Sequence, residues 1–296
     1  MKRINSPSLT LALALALIPA NVMADETTTT TPASTAAATT PASTAAATTP
    51  ASTAAATTPA STAAATTALT STIDHAAFDA LLRAHVKGPR VDYAGFAKNA
   101  AFAKYIDAIG TFNPATLTSR ADRLAFYINA YNALTISGVL KHLPGLKSVE
   151  AVYPDFGFFK RADFKVGGKA MSLNNLEHDI IRPEFKDPRV HAALNCASVS
   201  CPPLLAEAYV PTKVEAQLEK QMKAFVLDSA RNQVDATKGV KLSMIFDWFS
   251  KDFKANGGVV TFMSKYLSTE QAATLSSSMT AGKVTYLPYD WNLNKL

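Results

Sequence analysis

One stretch of the chain concentrates the side chains that could do chemistry: Glu177 beside His178, then His191, Cys196, and Cys201 ahead of Pro202 and Pro203. Cys196 and Cys201 are the only cysteines in the 296 residues. Three chemistries are open to them. A disulfide is natural for an even cysteine count in an oxidising compartment, and a loop this short predicts stabilisation toward the lower part of about 2–4 kcal/mol. A metal site drawn from His178, His191, Cys196 and Cys201 would have the spacing H-x4-C-x4-C. That lacks the C-x2-C knuckle of zinc sites, and neither a metal nor a cofactor is expected. The third chemistry is nucleophilic attack by Cys196, which requires a thiolate and therefore a nearby base or a positive helix end.

The base is expected from His178 first and His191 second. Residues 189–195 alternate enough to predict a strand running into Asn195 and Cys196, and on a strand the odd separation puts His191 and Cys196 on opposite faces. Glu177, or an asparagine, would orient the ring as in a Cys-His-Asn arrangement. Asn129, Asn132 and Asn195 are candidate substrate contacts, the first two also candidate oxyanion donors. Asn129 and Asn132 lie three apart on one helix face, where they could equally brace an adjacent loop.

The elements that must position these residues follow from periodicity. Residues 121–142 predict a long helix, apolar nearly all round and therefore buried, ended by Pro144-Gly145. Ser172 caps a short helix carrying Glu177 and His178, closed by Arg182-Pro183. The segment DFKVGGKAM predicts a hairpin turning at Gly167-Gly168. Amphipathic spacing predicts helices over 73–86 behind Asp74, over 99–109 stopped by Gly110, and over 214–227. Further helical stretches near 243–254 and 258–267 precede a closing strand, KVTYLPYDWNLN. Helices dominate and strands come as hairpins, so the fold class is α+β: a helix-rich single domain with a small antiparallel sheet.

The blocks LAFYINAYNAL, FKVGGKAMSLNNLEHDIIR, DPRVHAALNCASVSCPPL and YLPYDWNLN together resemble the domain-of-unknown-function 547 family, over a core of about 121–296. In its plant-type branches the resemblance implies a cysteine where Cys196 falls and a serine where Cys201 falls. A disulfide is then not what the block is built for. The histidines vary across those branches, so the resemblance does not itself imply a Cys-His dyad.

Upstream, Lys2 and Arg3, an apolar run from Leu9 to Ile18, Pro19 and the ending Val22-Met23-Ala24 have the order of a secretory signal peptide, residues 1–24. The run is shorter than the ~20 residues a bilayer span needs. Residues 25–70 form a linker in which PASTAAATT repeats four times between Pro32 and Thr67. With proline in every unit and no large apolar side chain in the repeat, the linker is expected to be a disordered tether, similar in composition to O-glycosylated stalks. Residues 71–296 are expected to be globular.

Loss of residues 1–24 removes two basic and no acidic residues, taking the formal charge from +6 to +4. The lysines are scattered with no run of five or more basic residues, so no nucleic-acid footprint is indicated. The expectation is an exported bacterial protein, periplasmic or secreted and without a transmembrane segment once the signal is cut. Its domain is read as a thiol-dependent hydrolase or acyl transferase acting on an amide or ester of the cell envelope, the partner being an envelope component or peptide. The rival reading is a non-catalytic binding module stapled by a Cys196–Cys201 disulfide.

Overall fold

The computed structural model describes residues 73–296. The expected signal peptide, 1–24, the expected linker with its repeat, 25–70, and the first two residues expected to be globular, 71–72, lie outside the described residues. The fold is helix-rich with small sheets, as the α+β reading expects. A first group of helices comprises α1 (Ala76–His85), α2 (Tyr93–Ala97), α3 (Ala100–Thr111) and α4 (Arg120–His142). The two-residue strands β1 (Val86–Lys87) and β2 (Arg90–Val91) pair antiparallel between α1 and α2. Helix α4 is buried without a break from Leu124 to Ile136, and Asn129, Tyr131, Asn132 and Thr135 within it find partners inside the protein. Its start is set by Ser119, whose hydroxyl accepts the Asp122 N–H at 3.0 Å.

The hairpin forms as expected, β3 (Phe164–Val166) against β4 (Lys169–Met171). Gly110 does not stop the preceding helix, which runs on to Thr111. The hairpin supplies the missing termination: Gly167 and Gly168 donate to the carbonyls of Ile109 and Gly110 at 3.2 and 2.7 Å, satisfying acceptors left over at the helix end. Both glycines have positive φ, as the tight turn demands.

Beyond the hairpin lie α5 (Gly157–Lys160, which precedes it in sequence), a π-helical turn over Asn175–Ile181, α6 (Arg182–Phe185) and α7 (Val190–Ala193). Arg182-Pro183 does not close the helical segment. Pro183 sits in the first turn of α6, where no N–H is required of it. Nor is 189–195 a strand, and His191 is helical. Asp187-Pro188 starts a helical turn in which Val190, His191 and Ala192 N–H groups donate to the carbonyls of Asp187, Pro188 and Arg189. That local start, followed by two alanines, outweighs the apolar alternation.

The remainder is α8 (Val214–Leu227), β5 (Gln233–Asp235) paired antiparallel with β6 (Gly239–Leu242), α9 (Ile245–Trp248), α10 (Ser250–Lys254), α11 (Gly258–Ser264) and α12 (Thr269–Thr280). The stretch expected as one helix over 243–254 breaks at Phe249. Of the closing strand only β7 (Thr285–Tyr286) joins a sheet, and it runs parallel to β6 rather than antiparallel. The rest crosses the domain on single bridges, Asn292 to Ser148, Leu293 to Ser198 and Lys295 to Val91.

Two apolar clusters result. One is built around α4, with Phe78, Phe126 and Leu194 among its members; the other gathers Phe225, Phe246 and Phe253 around the small sheet. Helix α7 straddles them, Ala193 packing into the first and Ala192 into the second.

Candidate functional site

Cys196 follows α7 on a short loop held from three directions. From α4, Asn132 donates to the Ala193 carbonyl at 2.9 Å and accepts the Asn195 N–H at 2.9 Å. From within the loop, Asn195 donates to the Pro202 carbonyl at 2.9 Å and accepts the Ala197 N–H at 3.0 Å. From α8's far end, Arg231 spans the loop with its fork, Nε to the Cys201 carbonyl at 2.9 Å and Nη2 to the Val199 carbonyl at 2.8 Å, while Asp228 holds its third nitrogen. The chain end completes the frame: Val199 and Ser200 donate to Asn292 and Asp290, and Asn294 donates to Ala197. Ala197, next to the thiol, is thereby fixed in the left-handed region at φ 64, a conformation that costs a non-glycine residue about 1–2 kcal/mol.

The Cys196 sulfur lies 2.9 Å from the Ser198 hydroxyl and 3.2 Å from the Tyr289 hydroxyl, and these two oxygens are themselves 3.3 Å apart. Both cysteines are free thiols. Instead of bonding covalently, Cys201 Sγ accepts the Cys196 backbone N–H at 2.9 Å. Burial works against a thiolate here, but the Cys201 thiol, the Ser198 and Tyr289 hydroxyls and the Ser198 N–H outweigh it and bring Cys196 down to about 7. Burial and the neighbouring Cys196 push the Cys201 thiol well up, so the charge belongs on Cys196.

Cys196 lines a cavity of about 230 Å³ together with Glu177, His178 and His191, so the structure brings those four sequence-picked residues to one place. Glu177 and His178 project from the π-helical turn, a wide turn often found at functional sites. Burial raises the Glu177 carboxyl to about 7 despite the lowering pull of Arg182, and the Tyr131 hydroxyl donates to it at 3.3 Å.

Neither imidazole is hydrogen-bonded to the sulfur. His191 is buried, stacked on Phe249 at 3.8 Å between centroids, with Nε2 2.8 Å from Asp252 and Nδ1 3.9 Å from Glu177. Burial lowers its pKa and the Asp252 contact opposes that. His178 faces the Arg182 guanidinium through Nδ1, and burial with that cation lowers its pKa too. Arg182 in turn forms a fork to Asp252 at 2.7 and 3.0 Å. The His191 and Arg182 contacts outweigh burial and keep the Asp252 carboxyl far below the usual carboxylate range.

The asparagines stand elsewhere. Asn129 exchanges two bonds with the Tyr209 backbone at 2.7 and 2.9 Å, and Asn132 and Asn195 are taken up by the cysteine loop. All three amides brace backbone and none lines the cavity.

Sequence reasoning missed Asp252, Tyr289, Ser198 and Arg231. Only the fold brings Tyr289 to the thiol and Asp252 to His191, each distant in sequence from its partner. Ser198, two residues from Cys196 in NCASVSC, was open to view. A larger hollow, about 680 Å³, lies by α1, and its Arg83 is already paired with Asp79 at 2.7 Å and with Glu207 at 3.1 Å. It contains no cysteine, and its wall includes Ile73, where the described residues begin.

Neither curated proteins nor solved structures yield a match to this chain. Residues 114–226 match the family model described as "Protein of unknown function, DUF547". The match starts a little before the core expected from about 121 and stops short of the closing YLPYDWNLN, so it takes in Glu177, His191 and Cys196 but not Asp252 or Tyr289. The chain carries a DUF547 family domain over residues 114–226.

Proposed function

We propose that the domain is an exported thiol hydrolase or acyl transferase acting on an amide or ester of the cell envelope, with Cys196 as nucleophile. The carrying observation is that one cavity holds a thiol lowered to about 7 and a carboxyl raised to about 7. Such a pair supplies a nucleophile and a proton donor at the same neutral pH.

The Cys196 thiolate attacks the acyl carbon, and the carbon–sulfur bond forms as the carbonyl π electrons move to oxygen. On collapse the bond to the leaving nitrogen or oxygen breaks, and that atom takes the proton from Glu177. Water, or an acceptor amine or alcohol, then attacks the thioester, giving its proton back to the Glu177 carboxylate and releasing the thiolate. His191 acts as a positioning residue: Asp252 and Phe249 fix its ring, and Nδ1 faces Glu177. Export rests on the basic start, the apolar run and the Ala24 ending of residues 1–24.

Incubating the mature protein with p-nitrophenyl acetate and analysing rapidly acid-quenched samples by mass spectrometry tests this reading. An acetyl group on the Cys196 peptide, absent in Cys196→Ser and present in Cys201→Ser, is expected. A protein without titratable thiol that never acquires the adduct overturns it in favour of the disulfide-stapled binding module.

A further inference from the structure

Large apolar side chains left in solvent call for a reason when they gather at one opening. Phe156 and Trp248 are 39% and 44% exposed, and both line the Cys196 cavity. They belong to one sheet of rings centred on Trp291. Phe156 lies 5.2 Å from it, Tyr289 4.5 Å, and Trp248 5.8 Å in a stacked arrangement, while Trp248 meets Tyr289 at 4.7 Å. Tyr289 therefore serves twice, its hydroxyl against the thiol and its ring in the wall.

The backbone under this wall is strained. Asp155 and Phe156 are consecutive non-glycine residues at φ 53 and 58, a conformation costing about 1–2 kcal/mol for each. The strain does not bury the Phe156 ring; it leaves it exposed on the cavity rim, the pattern expected where a ligand rather than the core uses the side chain. One turn later, on α5, Lys160 also lines the cavity and is the one lysine or arginine among the described residues to do so.

From these observations we infer that the wall is a specificity subsite for an aromatic side chain flanking the reacting carbonyl, on a substrate with an anionic group in reach of Lys160. The inference rests on the thiol reading of Cys196 and names its substrate class. Size agrees: about 150 Å³ suffices for benzene in an apolar cavity, and about 230 Å³ is available here. Rings offered edge and face in the wall suit another ring, and the lysine adds attraction for an anion at the mouth.

Two probes test the subsite. The first compares N-acetylphenylalanine and N-acetylalanine chloromethyl ketones, in which the Cys196 thiolate displaces chloride to form a carbon–sulfur bond. The phenylalanine reagent is expected to react faster by on the order of tenfold, and the ratio to fall toward one in Phe156→Ala and Trp248→Ala. The second is binding of N-acetylphenylalanine to the reduced protein, read by tryptophan fluorescence, with Lys160→Met weakening the carboxylate but not its carboxamide. If Cys196 alkylates with no preference and neither compound binds, the subsite is overturned while the thiol reading stands. If Cys196 is inert but N-acetylphenylalanine binds through Lys160, the wall is a ligand site and the catalytic reading fails. Inertness without binding overturns both.

Discussion

A thiol withdrawn from water ordinarily ionises late, because burial penalises the charged form. Around Cys196 the donors of Ser198, Tyr289 and Cys201 reverse that balance, and no imidazole takes part. Tyr289→Phe is therefore expected to slow iodoacetamide labelling of Cys196 near pH 7 several-fold and to move its pH midpoint upward, as mass-spectrometric labelling rates would record. Glu177 makes a second prediction. Its carboxyl is raised in the folded protein, so the stability it contributes is full below the ordinary carboxylate value and is lost as pH rises through about 7. Glu177→Gln is expected to stabilise the protein by up to about 3 kcal/mol at pH 8.5 and to make little difference at pH 4.5, measured by urea unfolding. A parent no less stable than the variant at pH 8.5 contradicts the raised carboxyl.

At the scale of elements, the cysteine loop is shaped by buried polar side chains that reach it from other parts of the chain. Asn132→Ala would leave the Ala193 carbonyl and the Asn195 N–H without partners inside the protein. A loss of about 2–4 kcal/mol in unfolding free energy is expected, together with faster proteolysis of the 194–202 segment. Arg231→Lys keeps the charge but cannot span the two carbonyls of Val199 and Cys201. It should lower the melting temperature, whereas substituting the exposed Lys238 should leave it in place.

These contacts also mark where reading the sequence stops. Helix α4, the Gly167-Gly168 hairpin and α8 were legible because periodicity and turn chemistry are local. The capping box of Ser268 and Gln271 announces α12 just as locally and was passed over. His191 was misplaced on a strand because alternation was weighed above the Asp187-Pro188 helix start. Glu177, His178, His191 and Cys196 could be picked out by type. Their partners Asp252 and Tyr289 could not, since nothing local marks a residue whose role depends on where the chain returns.

Over the whole domain, the last residues close the site. Leu293 donates to Lys147, Asn294 to Ala197 and Leu296 to Val91, and the Tyr93 hydroxyl donates to Asn294 at 2.6 Å. One strand of backbone therefore ties α2, the loop after α4 and the cysteine loop, and brings Tyr289 with it. Removing residues 288–296 is expected to lower the melting temperature by several degrees and to return Cys196 to ordinary thiol reactivity, as calorimetry and labelling would show. A truncated protein that melts and labels like the parent contradicts this closure.

The pH profile of Cys196 alkylation in the reduced mature protein bears most directly on the proposed chemistry. A midpoint near 7 is expected, moving upward in Tyr289→Phe and Ser198→Ala and unmoved in a variant of the exposed Lys238. A midpoint at about 8.5, the value of a free cysteine, unchanged by those substitutions, or no labelling of the folded protein at any pH, would contradict it.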